Sequence, residues 1–311
     1  MAGHHHSHSP VAGHTVQLRL GLAILLTLAL VVAEIVAGLA AHSLALLTDA
    51  LHNFTDIAAL LLTAFAFKLE QRPANADKTF GYHRVGILAA LINATTLGFV
   101  AFGIFHEAWQ RFLVPPAVDS TLLMAVGGVA FVVNLFTAWL VGHGSHDDIN
   151  LHSAFLHLMG DAFSTLGAVV AGFFIRLTGY DWLDPAISLL IGGLILWNAW
   201  LIIREAVDIL LESTPDGIEV STLIRDILQI EGIRGVHHLH VWSLSRKLRL
   251  LTAHLVVEDM PISAANLLRH RVQQVVEHRH GITRCTLQLE HQGCEPDTLY
   301  IDIKQHEHQH V

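Results

Sequence analysis

Long apolar stretches without charge constrain this chain more than any other feature of its sequence. Three of them contain no charged residue: residues 85–105, 121–142 and 186–203. A helix of about 20 apolar residues is long enough to cross the roughly 30 Å hydrocarbon core of a membrane. Each of the three stretches therefore predicts a transmembrane helix.

Three further apolar stretches extend this pattern, although ionisable residues interrupt them. Residues 20–41 contain only Glu34, whereas residues 43–67 and 149–175 carry acids and histidines in their interiors. Only 14% of the chain is charged and 52% is hydrophobic, whereas about 25% of residues are charged in ordinary soluble domains. We therefore predict a six-helix, all-α transmembrane bundle rather than the buried helices of a soluble core.

Lysine and arginine indicate the orientation of the bundle, because cytoplasmic loops are enriched in both. With both termini in the cytoplasm, the inner helix ends carry most of these residues: Arg19, Lys68, Arg72, Lys78, Arg84 and Arg204. The outer ends keep only Arg111 and Arg176. We expect a multi-pass protein of the cell (inner) membrane, with a histidine-rich cytoplasmic tail at residues 1–15.

The composition changes after Arg204, and residues 212–295 have the pattern of a soluble domain. Apolar residues at helical spacing predict two helices, and alternating residues predict strands at 236–244, 248–257 and 283–290. The helical stripes are Val220, Leu223, Ile224, Ile227 and Leu228, then Leu267, Leu268, Val272, Val275 and Val276. The order α-β-β-α-β predicts a small α+β domain with helices on one face of the sheet. Residues 16–211 would then form the transmembrane domain and residues 296–311 a second histidine-rich tail.

Histidine is unusually frequent in this chain. There are 24 histidines but only 18 lysines and arginines together, and the net charge is −9. The negative net charge disfavours nucleic-acid binding, which depends on positive charge next to phosphates. Because neutral imidazole is a common metal ligand, the composition indicates metal binding by a membrane protein.

The same spacing of histidine and aspartate occurs in the second and the fifth predicted span. His52 precedes Asp56 by four residues, and His157 precedes Asp161 by four. Residues four apart lie on the same helix face, so each helix presents one imidazole and one carboxylate. Two such pairs facing each other supply the ligands of a tetrahedral His2Asp2 zinc site. Ionisable groups within a span cost about 2.5–3.5 kcal/mol each, which favours a functional role for them.

Other polar residues of the spans leave alternatives open. Asp49 lies two helical turns before Asp56, and three roles stay open for it: a partner of the ligands, a proton acceptor, or a residue near the membrane end. Glu34 either pairs with a neighbouring helix or relays protons. Interhelical hydrogen bonds are expected for the asparagines of the spans, Asn53, Asn93 and Asn134.

Four sequence motifs resemble those of the cation diffusion facilitator (CDF) family, most closely its zinc-transporting branch. They are SLALLTDALHNFTD at residues 43–56, KTFGYHRVGILAALINA at 78–94, AFLHLMGDAFSTLGA at 154–168 and HHLHVWSL at 237–244. The resemblance implies a homodimeric Zn²⁺/H⁺ antiporter with six transmembrane helices and a ferredoxin-like cytoplasmic domain. It implies zinc as the transported and regulatory ion, with no organic cofactor. It assigns the transport site to His52, Asp56, His157 and Asp161, the residues that the spacing also selects.

The cytoplasmic domain of this family also binds metal near the dimer contact. The resemblance places His237, His254 and Glu290 at such a site, with His238 and His240 as further candidate ligands. On the predicted strands, His254 and Glu290 point away from the apolar faces. The alternative is that these residues are only the polar side chains of a solvated sheet face.

These observations predict a proton-coupled antiporter that exports Zn²⁺, with Cd²⁺ and other divalent transition metals as further substrates, and not an enzyme. The alternatives are a membrane-embedded metalloenzyme and a membrane metal sensor. A histidine-box oxidase needs many more than four ligands, and the HExxH signature of zinc proteases is absent from the sequence. Counter-transport separates the three classes, because only a transporter moves zinc against protons.

Overall fold

The structure is a computed structural model, and it describes residues 10–142, 149–246, 248–291 and Leu299. The first nine residues of the predicted N-terminal tail lie outside the described residues, and residues 10–15 already belong to the first helix. The histidine-rich loop at 143–148 and the predicted C-terminal tail, apart from Leu299, also lie outside them.

Six long helices form the first two thirds of the chain, as the apolar stretches predict. They are α1 (Pro10–Ala41), α2 (Leu44–Glu70), α3 (Val85–Leu113), α4 (Ser120–Gly142), α5 (Ile149–Thr178) and α6 (Leu183–Leu210). Within the described residues, α2 to α6 are long and apolar enough to cross a membrane. In α1, the apolar stretch found within the described residues is shorter and comprises Leu25–Ala41.

The chain divides into two compact units. The helical unit comprises Met1–Ala64 and Ile92–Ile202, and the C-terminal unit comprises Phe65–Leu91 and Ile203–Val311. The ends of α2, α3 and α6 therefore group with the C-terminal residues. The domain boundaries expected after residues 15, 211 and 295 remain predictions.

Burial in the helical unit is inverted relative to a soluble protein. The side chains of Phe99 and Phe102 are 74% and 71% exposed, whereas Glu34, Asp49 and Asn134 are almost completely buried. Apolar side chains on the outside suit a hydrocarbon solvent, in which polar groups must find partners inside the bundle. This pattern confirms that the helices form a membrane bundle.

Small residues let α4 and α5 approach closely. A Cβ atom on Gly172 of α5 would lie 3.0 Å from Met124 and 3.1 Å from Leu123 of α4. A Cβ atom on Gly127 of α4 would lie 3.0 Å from Val169 of α5. Without a hydrophobic driving force between helices in lipid, such close contacts between backbones favour helix association. The close approach holds α5, which carries Asp161, against α4.

The C-terminal domain has the predicted element order. It consists of α7 (Val220–Leu228), β1 (Ile233–Ser245), β2 (Leu248–Val257), α8 (Ile262–His280) and β3 (Arg284–Glu290). The sheet order is β1-β2-β3. The β1–β2 pair is antiparallel, and β2 and β3 are parallel because α8 makes the crossover between them. The result is the α+β domain that the element order predicts, with the ferredoxin-like fold that the family resemblance implies.

The two helices cover one face of this sheet with part of each apolar stripe. Leu223 and Ile227 of α7 are buried, and so are Leu268, Val272 and Val276 of α8, which form one core with β1 and β2. Leu228 and Leu267, which belong to the same stripes, have side chains that are 44% and 65% exposed. Leu228 directly follows the buried Ile227 and Leu267 directly precedes the buried Leu268, so both lie at the edge of the apolar stripe.

An ionic contact joins the two helices of the domain. The Asp226 carboxylate of α7 accepts hydrogen bonds from Arg279 and from His280 of α8, both at 2.9 Å. Burial raises the pKa of Asp226, but the hydrogen bond from His280 and the charge of Arg279 outweigh burial and lower this pKa overall. The ionised carboxylate therefore favours the folded domain.

We predict that Asp226→Asn loosens α7 and α8 in a pH-dependent manner. A lowered pKa stabilises the fold at pH values above the ordinary carboxyl value of about 4, and this stabilisation is lost as the pH falls through the lowered value. At pH 7 the α7 and α8 amides of the full-length variant should therefore exchange hydrogen faster than those of the wild type. This difference should shrink below about pH 4.

The matched control for this prediction is Glu258→Gln. Its carboxylate pairs with Arg234 on the exposed surface, where both side chains are more than 60% exposed, and such pairs contribute little. Equal exchange in Asp226→Asn and Glu258→Gln at pH 7 would contradict the stabilising role of Asp226.

Candidate metal centres

Helix α2 presents His52 and Asp56 on one face, as their spacing predicts. The Nε2 atom of His52 lies 3.5 Å from Asp56 Oδ2, one helical turn further on. Both side chains are largely buried, at 15% and 20% exposure. One imidazole nitrogen and one carboxylate oxygen of α2 are therefore available at the same depth of the bundle.

Helix α5 adds the carboxylate of Asp161 to this pair. Asp161 Oδ1 lies 3.5 Å from His52 Nε2, and one ligand atom from each of the three residues lies within 4.8 Å of the other two. Ligand atoms about 2.1 Å from a tetrahedral zinc ion are about 3.4 Å apart. The contacts of His52 with both carboxylates therefore have the spacing of an edge of a zinc tetrahedron.

The fourth predicted ligand is His157. It belongs to α5, four residues before Asp161, but its side chain lies outside the described residues. The structure brings together three of the four predicted residues, and the place of His157 in the site stays a prediction.

A hydrogen-bond network centred on Thr165 adjoins this cluster at Asp161. Its hydroxyl lies 2.9 Å from Asp49 Oδ2 and 2.8 Å from the backbone carbonyl oxygen of Asp161, and it accepts a bond from Asn134 at 3.2 Å. All four residues are buried. The network links α2, α4 and α5, and it connects Asp49 through Thr165 to the backbone of Asp161.

Thr165 was not predicted from the sequence as part of the site. The signal was present, because Thr165 follows Asp161 by four residues and so continues the face that His157 and Asp161 define. Asn134 makes the expected interhelical bond, and Asn93 makes another to the Ala59 carbonyl oxygen at 3.3 Å.

Glu34 pairs with a neighbouring helix, which is one of the two roles predicted for it. Its Oε2 atom accepts a hydrogen bond from Asn53 Nδ2 at 3.5 Å, and both side chains are buried. Asn53 is adjacent to His52 in α2. The contact therefore connects α1 to the helix segment that carries the cluster.

A second cluster lies on the sheet of the C-terminal unit. Glu290 of β3 lies between two histidines: its Oε2 is 3.1 Å from His237 Nε2 and its Oε1 is 2.7 Å from His254 Nδ1. His237 is opposite His254 in the β1–β2 ladder. The structure thus brings together all three residues that the family resemblance places at a cytoplasmic site.

His238 joins this cluster because of an irregularity in β1. The ladder register shifts between His237 and His240, and His238 has a positive φ of 49°. Neighbouring residues of a regular strand point to opposite faces, but a bulge can turn both toward one side. One ring nitrogen each of His237, His238 and His254 therefore lies within 4.8 Å of the other two. His240 is exposed.

The neighbouring histidines also favour the ionised form of Glu290. Burial raises the pKa of this carboxyl, but the charge of His254, a hydrogen bond from Gln288 and the charge and hydrogen bond of His237 outweigh burial. The net effect lowers the pKa of Glu290. A carboxylate that is ionised at neutral pH next to imidazole nitrogens is a ligand set that suits zinc.

The fold and both clusters define a class of protein. Apolar helices enclose three imidazole and carboxylate side chains, and a small α+β domain carries a second set of metal-type ligands. This combination is that of an integral membrane protein that handles metal ions.

Sequence comparison gives the family. The cation efflux transmembrane domain matches residues 20–211, and the cytoplasmic domain of cation efflux proteins matches residues 215–292. The chain therefore belongs to the cation efflux family, and it is a multi-pass membrane protein with a cytoplasmic C-terminal domain.

Several relatives are similar over almost their whole length. A protein named zinc transporter ZitB from Pectobacterium atrosepticum is 38% identical over 296 residues, which cover 94% of this chain and 91% of the relative. A cadmium, cobalt and zinc/H(+)-K(+) antiporter from Bacillus subtilis is 34% identical over 312 residues, with 98% and 99% covered. The metal cation efflux system protein CzcD from Cupriavidus metallidurans is 34% identical over 294 residues, with 94% and 92% covered.

We predict that Thr165→Val weakens metal binding although valine has nearly the same shape as threonine. The change removes a donor from Asp49 and an acceptor from Asn134, and each buried polar group left unpaired costs about 1–3 kcal/mol. Zn²⁺ titration of the detergent-solubilised variant should show an affinity about tenfold lower than that of the wild type.

The matched control is Thr137→Val in α4. Its hydroxyl is equally buried, but it donates only to the Val133 carbonyl oxygen of its own helix, at 2.7 Å. The Val133 carbonyl oxygen still accepts the backbone N–H···O hydrogen bond of the helix. Thr137→Val should therefore bind Zn²⁺ like the wild type. Equal affinities in the two variants would show that the Thr165 network does not support the cluster.

Proposed function

We propose that this protein exports Zn²⁺ from the cytoplasm across the cell (inner) membrane in exchange for protons. The proposal assigns the transported ion to a tetrahedral site of His52, Asp56, His157 and Asp161. The observation that carries it is the cluster of His52, Asp56 and Asp161, buried between α2 and α5 with ligand atoms at zinc-like spacing.

The ligand chemistry supports zinc as the substrate. Imidazole with carboxylate suits zinc and neighbouring transition metals, whereas Mg²⁺ and Ca²⁺ prefer oxygen ligands alone. Two ionised aspartates and one Zn²⁺ have no net charge, so the loaded site is less costly to bury in a membrane. Relatives are named for zinc and for cadmium and cobalt, which supports Cd²⁺ and other divalent transition metals as further substrates.

The coupling to protons follows from the same ligands. Metal ligands must lose their protons before they bind metal, so metal binding and proton binding compete. A site open to the cytoplasm would take up Zn²⁺, and a site open to a more acidic exterior would release it to incoming protons. Alternating exposure would come from α2 and α5 moving with their neighbours. The name of the Bacillus subtilis relative includes exchange for H⁺ and K⁺.

The same proposal covers the assembly. The protein acts as a homodimer with both termini in the cytoplasm, and metal at the His237, His254 and Glu290 cluster, with His238 as an added ligand, regulates it. The positively charged inner helix ends and the buried ligand set on the sheet support these assignments. Divalent metal ions, protons, the lipid bilayer and a second copy are its partners, without an organic cofactor, nucleic acid or enzymatic reaction.

We predict that Asp161→Ala abolishes zinc-driven proton flux in liposomes, and that His157→Ala does the same. Each change removes one ligand of the transport site, and three ligands with an open position hold zinc less tightly in the bundle. A pH-sensitive dye inside the liposomes measures the flux after zinc is added. Normal flux in Asp161→Ala would overturn the assignment of the site.

The control for this measurement is Asp208→Asn in α6. Its exposed carboxylate lies 4.0 Å from Arg204 and belongs to neither cluster. This variant should transport zinc like the wild type. Zinc binding by the wild type without any zinc-driven proton flux would favour a metal sensor or a metalloenzyme over a transporter.

We predict that His254→Ala lowers the number of zinc ions bound per chain by one. The side chain lies in direct contact with Glu290 and next to His237 and His238, so its loss removes a ligand from the centre of the cluster. Equilibrium dialysis of the full-length protein measures the stoichiometry. His240→Ala, an exposed histidine of the same strand, serves as the control and should bind as much zinc as the wild type. An unchanged stoichiometry in His254→Ala would identify the cluster as a polar sheet face only.

A further inference from the structure

The start of helix α2 is held by a residue from another helix. The first N–H groups of any helix have no acceptor within the helix, and in a membrane each unsatisfied group costs several kcal/mol. In α2, the Asp184 carboxylate of α6 accepts hydrogen bonds from Leu44 N at 2.6 Å and from Ala45 N at 3.3 Å. A side chain distant in sequence therefore caps this helix.

Ser43 completes the cap. Its hydroxyl donates to Asp184 Oδ1 at 2.5 Å, and the hydroxyl oxygen lies 3.3 Å from Leu46 N, which donates to it. Asp184 and Ser43 have no exposed surface. A buried carboxylate next to the positive end of a helix dipole is a favourable arrangement. Three N–H groups of α2 thus depend on two side chains.

The turn before α2 is fixed from other sides as well. His42 has a left-handed backbone with a φ of 53°, and Ser43 N donates to Gly38 O, which is the bond that closes α1 in a Schellman motif. Arg111 of α3 donates to the His42 carbonyl oxygen, and Asp119 N donates to the Ala41 carbonyl oxygen. Contacts from α3, α6 and the start of α4 therefore determine where α2 begins.

This end of α2 is close to the proposed metal ligands. His52 follows Leu44 by eight residues, which is about 12 Å along a helix. Over two turns a helix transmits a shift or rotation of its first residues to the side chains it carries. The geometry of His52 relative to Asp161 on α5 therefore depends on how the first turn of α2 is held.

We propose that Asp184 is a positioning residue of the metal site, which holds the first turn of α2 so that His52 and Asp56 face Asp161. The inference rests on the proposed function of that cluster. Asp184 itself does not contact the ion. Its influence passes through the backbone of α2, so its loss changes the geometry and the affinity of the site.

The test measures Zn²⁺ affinity by calorimetry on the full-length protein in a His254→Ala background, which removes a ligand of the cytoplasmic cluster. Asp184→Asn keeps the size of the side chain but loses the charge and one acceptor. We expect its Zn²⁺ affinity to fall about tenfold and its preference for Zn²⁺ over Cd²⁺ to change. Asp184→Glu, which keeps the carboxylate, should restore part of the affinity.

The matched control is Asp119→Asn. Asp119 also caps a helix, since its Oδ1 accepts hydrogen bonds from Thr121 N and Leu122 N of α4, but α4 carries none of the proposed ligands. The bond from Asp119 N to the Ala41 carbonyl oxygen belongs to the backbone, and asparagine also caps helices. Asp119→Asn should therefore keep the Zn²⁺ affinity of the background protein. A purely structural role of Asp184 would lower the unfolding temperature while the folded fraction bound Zn²⁺ with unchanged affinity and preference. That result would overturn the inference.

A milder variant keeps the inference testable if Asp184→Asn does not fold. Ser43→Ala removes the hydroxyl of the cap but leaves both bonds from Asp184 to the backbone, and we expect the Zn²⁺ affinity to fall about fivefold. An unchanged affinity in folded Ser43→Ala contradicts the positioning role. Failure of the proposed function is a different result, because the protein with native Asp184 and Ser43 would then neither bind nor transport zinc through this cluster.

Discussion

Carboxylates placed inside a membrane bundle must be compensated, and this requirement shapes the helical unit. Glu34, Asp49, Asp161 and Asp184 are buried, at positions where water does not supply hydrogen bonds. Glu34 has an amide, Asp49 a hydroxyl and Asp184 the start of a helix as partner. Asp161 faces the imidazole of His52. Each carboxylate thereby connects two helices.

The local part of this arrangement was predictable from sequence. Helix periodicity alone places His52 beside Asp56, and the lack of other charge in the spans identifies the two helices that carry ligands. The alternating strands likewise predict which face of β3 carries Glu290. These features depend only on the regular geometry of one element, so a single segment of sequence contains the information.

The missed features all depend on how elements meet. Thr165 joins the site because α2 and α4 lie against α5, and Asp184 caps α2 across a separation of 140 residues. His238 was a candidate ligand from the sequence, but the irregularity of β1 that turns it toward the cluster depends on the pairing with β2 and could not be predicted from β1 alone. Periodicity likewise gives the apolar side of a helix but not the width of its contact, so the exposure of Leu228 and Leu267 does not follow from the stripes alone.

Ser43 has a mechanical consequence for the two helices that it joins. Its N–H closes α1 and its hydroxyl caps α2, so one residue ends the first helix and starts the second. The connection between α1 and α2 therefore has no flexible linker residues. The angle between the two helices cannot change without breaking the hydrogen bonds of Ser43. A displacement of α2 must therefore carry the end of α1 with it. The smallest unit that can move at this end of the bundle is therefore the helical hairpin of α1 and α2, and not α2 alone.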